Sequence, residues 1–262
     1  MSNYARDVLD YIVATTPRPC DDLPHLGVCG KMIELIPHSV DSTFYRARRS
    51  SDFLSLRIGY LGRLDKYGKG LMSLPSVAGI LADRGVNFHL RIAGSGPDAE
   101  TLSWSLGECG FKREGVFVAR VALSRVLAFL ASVDVLLFPS RFEGCGMVLI
   151  EAVAAGVVPV ASRVNGVADF IIEEGRTGFL IGIDDVVGMA SAVEELSKSL
   201  TLRKTMSEAG VKSVKDWFDR DRMCLAFVEV FRKVPRSGRR PRPRPRPRPW
   251  SECRLRTGFR PS

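Results

Sequence analysis

From about residue 54 to residue 182 this chain alternates short β-branched runs with stretches of helical spacing, and that alternation restricts its fold more than any other feature. LRIGYL (56–61) has the composition of a buried strand, and a helix after it is predicted to end near Arg84 and Gly85. FHLRIAG (88–94) is the next strand, followed by a helix through Leu102 and Leu106. VFVA (116–119), DVLLFP (134–139), VVPVAS (157–162) and GFLIG (178–182) continue the strands. LSRVLAFLASV (123–133), MVLIEAVAA (147–155) and GVADFIIEE (166–174) are the helices between them. Strands separated by helices of this length need crossover connections, which make the sheet parallel and cover both of its faces. The predicted fold class is therefore α/β, a doubly wound parallel sheet of Rossmann-like type.

The flanks differ from this core. Residues 8–40 (VLDYIVATT, a polar stretch, then KMIELIPHSV) read as one further β–loop–β unit. After Val234 comes SGRRPRPRPRPRPW, whose alternating prolines exclude helix and central strand and whose composition offers no apolar area to bury. Residues 235–262 are predicted to be a disordered Arg/Pro-rich tail, extended as polyproline II through its Arg-Pro section. The tail also explains the charge. The whole chain carries +9, but residues 232–262 alone carry +11, which leaves residues 1–231 at −2. The basic pI therefore says nothing about partners of the folded part.

Six cysteines are scattered without a C-x-x-C pair, a pattern of neither a zinc site nor a disulfide framework, and we expect reduced cytosolic thiols. The N-terminus has no apolar core of signal-peptide type. The longest apolar stretch, Met147 to Ala161, is broken by Glu151, Gly156 and Pro159 and is too short to span a bilayer. A soluble, cytoplasmic protein is the expectation.

The residues that carry chemistry cluster where predicted strands end. In PSRFEGCGMVLIEAVAAGVVPV, two carboxylates stand eight residues apart. Glu151 lies in a helix without a polar face, and such a helix is buried. A lone carboxylate there costs several kcal/mol unless it is paired. Its partner could be an arginine or a backbone amide, or it could accept hydroxyl protons from a bound sugar ring. Glu143 precedes Gly144, Cys145 and Gly146, a turn that lets backbone approach a ligand and opens a helix N-terminus suited to phosphate. Taken by itself, Glu143 reads equally as a solvated loop carboxylate.

GRLDKYGKG (62–70) follows the first strand of the domain and holds two cations, Arg63 and Lys69, in a loop with Gly68 and Gly70. They are suited to a diphosphate, Arg by bidentate contact and Lys as a point charge, or else they are plain surface cations. AGSGPD (93–98) follows another strand, but Ala99 stands where a dinucleotide fingerprint needs its third glycine, so it reads as a weak turn.

GRL-x4-KG (62–70), GSGP (94–97), DVLLFPSRFEGCGMVLIEAVAAGVVPVAS (134–162) and NG (165–166) together resemble the family 4 glycosyltransferases. These are a retaining group with the GT-B architecture of two facing Rossmann-like domains. The resemblance covers about residues 36–233 and includes IPHSVDSTF (36–44), which resembles the hinge between the two domains. It implies a hexosyltransferase acting on a nucleotide-diphosphate sugar, with no metal or cofactor, in which the catalytic set is Arg63, Lys69 and Glu143. Arg63 and Lys69 would hold the donor diphosphate, and Glu143 the donor sugar. Gly62, Gly94 and the run Gly144, Cys145, Gly146, Met147 and Val148 would line the donor, and Glu151 would accept from the nucleotide ribose. It further implies that a final helix, Asp219 to Lys233, crosses back onto the first domain.

The resemblance divides the chain into residues 1–45 (a remnant of the acceptor domain with the hinge), 46–234 (the nucleotide-sugar-binding domain) and the tail. Some 45 residues are far fewer than a domain needs. The expectation is a chain that lacks most of its acceptor half and transfers efficiently only with a protein partner that supplies it. The alternative is a non-catalytic nucleotide-sugar-binding subunit or a degraded, truncated copy. His25 falls in a polar loop without a family motif around it, His38 in the hinge and His89 in a strand, and Ala119 replaces the family's usual glycine in F-x-G. The acceptor (glycan, lipid or small molecule) is not legible. The tail is either a tether to anionic lipid or nucleic acid, which would place the protein at the membrane periphery, or an extension read out of frame.

Overall fold

The computed structural model describes residues 11–28, 33–43, 45, 55–111, 116–118 and 123–234. The predicted tail at 235–262 and Ala119 lie outside the described residues. Eight strands and nine helices run in the order β1 (Ile12–Ala14), α1 (Pro17–His25), β2 (Ile33–Leu35), β3 (Leu56–Leu61), α2 (Ser73–Asp83), β4 (Phe88–Gly94), α3 (Ala99–Glu108), β5 (Val116–Val118), α4 (Leu123–Leu130), β6 (Val135–Phe138), α5 (Met147–Ala154), β7 (Val158–Ser162), α6 (Ala168–Ile171), β8 (Phe179–Ile181), α7 (Val186–Lys198), α8 (Leu200–Trp217) and α9 (Arg220–Lys233) among the described residues.

Six strands form one sheet in the order β5-β4-β3-β6-β7-β8, and every neighbouring pair is parallel. The chain starts at the centre with β3, moves outward through β4 and β5, then returns to the other side of β3 with β6. That reversal between β3 and β6 is the topological switch point, where ligands bind at the carboxyl ends of the strands. The period-2 alternation of the strands builds two cores. Leu56, Ile58, Tyr60, Val135, Leu137, Val158 and Val160 face α2, α3 and α7. Leu61, Leu136, Phe138 and Ala161 face α5, α6 and the end of α8. Each fully buried Leu, Ile or Val contributes roughly 1.5–3 kcal/mol. At the opposite, amino ends, Asp134 fastens the switch strands: it accepts from Arg57 Nε at 3.0 Å, from Nη2 at 2.7 Å and from the Arg57 backbone N–H at 3.0 Å.

Two expectations need correction. The β–loop–β unit at 8–40 is a parallel β1–β2 pair, and a parallel pair needs a crossover, which α1 supplies. Its three prolines made PRPCDDLPH read as loop. Pro17 and Pro19, however, sit in the first turn, where no intrahelical partner for an N–H exists, and Pro24 stands one residue from the end. His25 therefore closes a helix rather than lying in a loop, and all three histidines are exposed. The helix predicted through Glu174 is one turn, ending at Ile171. Beyond it, Thr177 accepts from the Glu173 N–H at 2.8 Å and Glu174 accepts from the Leu180 N–H at 2.8 Å, so the EEGRTG turn takes the groups a longer helix would use.

α9 docks back on the N-terminal segment. Asp219 caps it by accepting from the Asp221 N–H at 2.9 Å, the Val40 N–H donates to the Phe218 carbonyl at 3.0 Å, and Arg220 and Lys233 pair with Asp41 and Glu34. Cys20, Cys109, Cys145 and Cys224 are free thiols. No helix among the described residues is long and apolar enough to cross a membrane.

Gly70 tests the packing of the loop after β3. It holds φ +58°, and a Cβ there would collide with the Pro139 carbonyl oxygen. Gly70→Ala is expected to cost about 1–3 kcal/mol and to lower the melting temperature by roughly 4 °C or more in a thermal melt.

Candidate functional site

The loop GRLDKYGKG is stitched to the loops on either side of it. On the β4 side, the Gly62 N–H donates to the Ala93 carbonyl and the Leu64 N–H to the Ser95 carbonyl, both at 3.0 Å. The Asp98 N–H returns a bond to the Leu64 carbonyl at 3.2 Å, and the Asp98 carboxylate accepts from the Lys66 N–H at 2.9 Å. Added Cβ atoms at Gly94 and Gly96 would strike the carbonyls of Gly62 and Leu64. The glycines of AGSGPD are thus required by close backbone approach, which a plain turn would not demand. On the β6 side, the Arg141 and Phe142 N–H groups donate to the Gly68 carbonyl at 3.0 and 3.1 Å. Inside the loop, Asp65 accepts from the N–H groups of Gly68 and Tyr67, which hold its carboxyl below the usual range.

A cleft of about 520 Å³ opens beside this stitched loop, at the carboxyl ends of β3 and β4. Gly62 and Arg63 form one wall, Gly94 and the Ser95–Pro97 turn a second, and Val148 and Glu151 on α5 a third, with Leu61 and Val126 as apolar lining. Five predicted residues (Gly62, Arg63, Gly94, Val148 and Glu151) therefore meet on one cavity. The other six do not line it. Glu143, Gly144, Cys145 and Gly146 lead into α5, with Lys69 paired to Glu143, and Met147 opens the helix one turn, or about 6 Å along the axis, before Glu151.

At that turn, Lys69 Nζ donates to Glu143 Oε2 in a close ion pair, with side chains only 27% and 14% exposed. Glu143 is therefore not a solvated loop carboxylate. It also accepts from the Gly144 N–H at 3.2 Å, so this amide is turned toward Glu143. Gly146 adopts φ +65° at the N-cap, and no side chain caps the helix. Met147 packs against the core, and Cys145 is half-buried beside it. The Leu149 and Ile150 amides donate to the Gly146 carbonyl, which leaves those of Met147 and Val148 without acceptors in the helix, at the positive end of its dipole. Arg63, by contrast, is 67% exposed and among the described residues pairs only with Asp65, at 4.0 Å, as an arginine held at the lip of a cleft would.

Glu151 has a partner that neither sequence alternative named: the Tyr45 hydroxyl donates to its Oε1 at 3.3 Å. Burial raises its pKa from the ordinary value and the tyrosine hydrogen bond acts against that rise. Tyr45 and Val126 were missed because no spacing rule marks a residue that reaches a site from another segment; the Ser95–Pro97 turn belongs to the GSGP motif, which by itself read as a weak turn. Among the described residues, no group of three or more His, Cys, Asp or Glu side chains could hold a metal ion. The arrangement offers an acceptor carboxylate and an apolar wall at one end, with cations and helix amides at the other.

Comparison with known proteins agrees with this layout. The sequence profile of the family described as "Glycosyl transferases group 1" matches residues 55–199. The capsular polysaccharide biosynthesis glycosyltransferase CapM of Staphylococcus aureus is 31% identical over 162 residues, which are 62% of this chain and 42% of CapM. Two solved structures share the fold: TarM of S. aureus, with a TM-score of 0.76 at 17% identity, and HepE of Anabaena, with 0.75 at 17%. The matches cover 87% of this chain and 45% of TarM, and 88% of this chain and 65% of HepE. The chain thus spans less than half the length of CapM and TarM. Since the family profile covers more than half of its residues and the fold agrees, the chain belongs to the group 1 glycosyl transferases.

Proposed function

We propose that this chain binds a nucleoside-diphosphate sugar in the cleft beside β3 and serves as the donor half of a retaining hexosyl transfer. The observation that carries this reading is the meeting of Arg63 and Glu151 on one cavity at the carboxyl ends of the strands, with the Lys69–Glu143 pair on the loop that leads into α5. Glu151 would accept from the ribose hydroxyls, the diphosphate would lie toward Arg63, Lys69 and the first amides of α5, and the sugar would reach Glu143. HepE was solved with UDP and glucose, and TarM in a complex containing UDP, which supports a nucleotide sugar as the ligand.

In the transfer, the bond from the anomeric carbon to the diphosphate oxygen breaks and charge gathers on the leaving nucleoside diphosphate. Preorganised cations lower that barrier, and here Arg63 and Lys69 take this part rather than a metal ion. Lys69 is held by Glu143 in the free protein, so it must exchange a carboxylate for a phosphate oxygen, while exposed Arg63 can swing in as a bidentate clamp. Each charge-assisted contact is worth roughly 1.5–3 kcal/mol. The acceptor, and a protein partner or further sequence that would wall the cleft opposite Arg63, complete the reaction.

A second reading, binding without independent transfer, is favoured by the exposure of Arg63, which leaves the leaving group open to water. Release of sugar and nucleotide from candidate donors, measured with acceptors added, separates the two; robust transfer by the purified chain would sink the second. Anionic lipid or nucleic-acid contact through the Arg-Pro tail would appear as salt-sensitive binding that deletion of residues 235–262 removes.

The binding step is tested by a thermal-shift panel with UDP, GDP, ADP and their sugar conjugates. A ligand at a hundred times its dissociation constant should add about 2.7 kcal/mol. One nucleotide is expected to shift the melt, and Arg63→Ala, Lys69→Ala and Glu151→Ala to reduce the shift. No shift with any ligand from a cooperatively melting chain would overturn the proposal.

Glu151 gives a second, independent check. Its folded pKa lies above the ordinary 4.5, so the native state holds this proton to higher pH than the unfolded chain does. Stability from this group is therefore greatest at low pH and is lost as pH rises through that window. Glu151→Gln is expected to melt higher than the parent at neutral pH, with the gain shrinking as the pH is lowered toward 4.5, and to lose the nucleotide response. A variant less stable than the parent at neutral pH would show that the carboxylate is a structural asset and not a binding group.

A further inference from the structure

We propose that Tyr45 is a positioning residue that aims the Glu151 carboxylate at the ribose and thereby sets the preference for ribonucleotides over deoxyribonucleotides. The proposal rests on the reading of Glu151 as the ribose acceptor and adds the group that makes it selective. Tyr45 lies outside the wound sheet, in the segment between β2 and β3, yet it packs against the core cluster that holds Leu149, Ile150, Ala152 and Val153 of α5. Two anchors hold the segment there: Val40 bonds to Phe218, and Asp41 pairs with Arg220 at 2.5 Å. The Tyr45 N–H then turns the chain inward by donating to the Ser42 carbonyl at 3.3 Å. Ring and backbone are thus fixed independently of the hydroxyl, which meets Glu151 Oε1 at 3.3 Å.

A glutamate on the second turn of a helix has several staggered rotamers, and only some of them point into the cleft. Its neighbours Leu149, Ile150, Ala152 and Val153 are buried and offer no polar group to choose among them. The tyrosine hydroxyl does choose, because it can only donate to an ionised carboxylate. Burial and the nearby Glu151 charge push the Tyr45 hydroxyl up to about 12, so it remains a donor at every physiological pH. The same bond opposes the burial that favours a protonated Glu151, and a protonated acid would be the poorer acceptor for a diol. A residue that holds the acceptor ionised and aimed contributes to binding only when the hydroxyls are there to be bound.

The test compares Tyr45→Phe, which keeps the ring, with Glu151→Ala and the parent chain. Calorimetric affinities are measured for UDP, GDP and ADP and for the 2′-deoxy and 3′-deoxy forms of whichever binds. In Tyr45→Phe the ribo-over-deoxy preference is expected to fall about three- to tenfold, the net worth of one hydrogen bond, while affinity for the deoxy form holds within about twofold. Equal losses for both forms would make Tyr45 a packing residue and overturn the proposal. So would an unchanged preference, or a gain in ribonucleotide affinity, which would mean that Tyr45 competes with the ribose. If Glu151→Ala itself keeps the parent's preference, the ribose reading of Glu151 fails, and the role of Tyr45 with it.

Discussion

Three loops held together by main-chain hydrogen bonds underlie the geometry of the cleft. β3 lies between β4 and β6, so the loop that leaves its carboxyl end must pass between the loops leaving theirs. Bonds from Gly62, Leu64 and Asp98 close one seam, and bonds from Arg141 and Phe142 to Gly68 close the other. Main-chain bonds of this kind tolerate any side chain that fits, yet the backbones come so close that Gly94, Gly96 and Gly70 have no room for a Cβ. The cations follow from this packing. Lys69 precedes Gly70, which has no room for a Cβ, and Arg63 follows Gly62, whose carbonyl is what leaves Gly94 none, so both cations are placed by backbone packed at its steric limit.

With the loops fixed, electrostatics decides what the cleft can hold. Lys69 and Glu143 satisfy each other, as two largely desolvated charges must if neither is to destabilise the fold. Among the described residues Glu151 has no such counter-charge and is held by a neutral hydroxyl, so it keeps part of its desolvation penalty. A buried acid left in that condition is a common mark of a functional position. A ligand that brings hydroxyl donors supplies what the apolar helix withholds. A ligand that brings phosphate competes for Lys69 and can recruit Arg63 from solvent. The cleft and the loop that leads into α5 thus ask for opposite chemistries.

Much of this was legible before any coordinates. The strand runs of the domain match within a residue or two, because a fully buried parallel strand has a strong apolar signature and the helices between strands enforce crossovers. The GRL-x4-KG and E-x7-E elements could be placed at strand ends for the same reason. What could not be read was contact between distant segments. Tyr45 meets Glu151 across 106 residues, and Arg57 clamps Asp134 across 77. Nothing in either local sequence marks these pairs. α1 was hidden by composition, since its prolines sit at the few positions where a helix tolerates them and none of its residues is buried. α6 was overextended because an apolar run predicts where a helix can form but not where a turn such as EEGRTG outcompetes it.

The docking of α9 has a consequence for the site. Val40, Asp41 and Glu34 are held by the end of α8 and by α9, so the position of residues 34–45 depends on the chain's last described helix. Tyr45 is the end of that connection, and it touches the Glu151 carboxylate of the cleft. A shift of α9 against the domain would therefore reach Glu151 through a short path: Arg220 to Asp41, the turn at Ser42, and the tyrosine hydroxyl. Surface ion pairs such as Arg220–Asp41 contribute little to stability by themselves, typically below about 1 kcal/mol. Their weight here lies in geometry, since a ring moved by an ångström from its 3.3 Å contact no longer orients the acid. The Glu151 end of the cleft is thus shaped partly by residues that precede the wound sheet in sequence, and the cleft is not a property of that sheet alone.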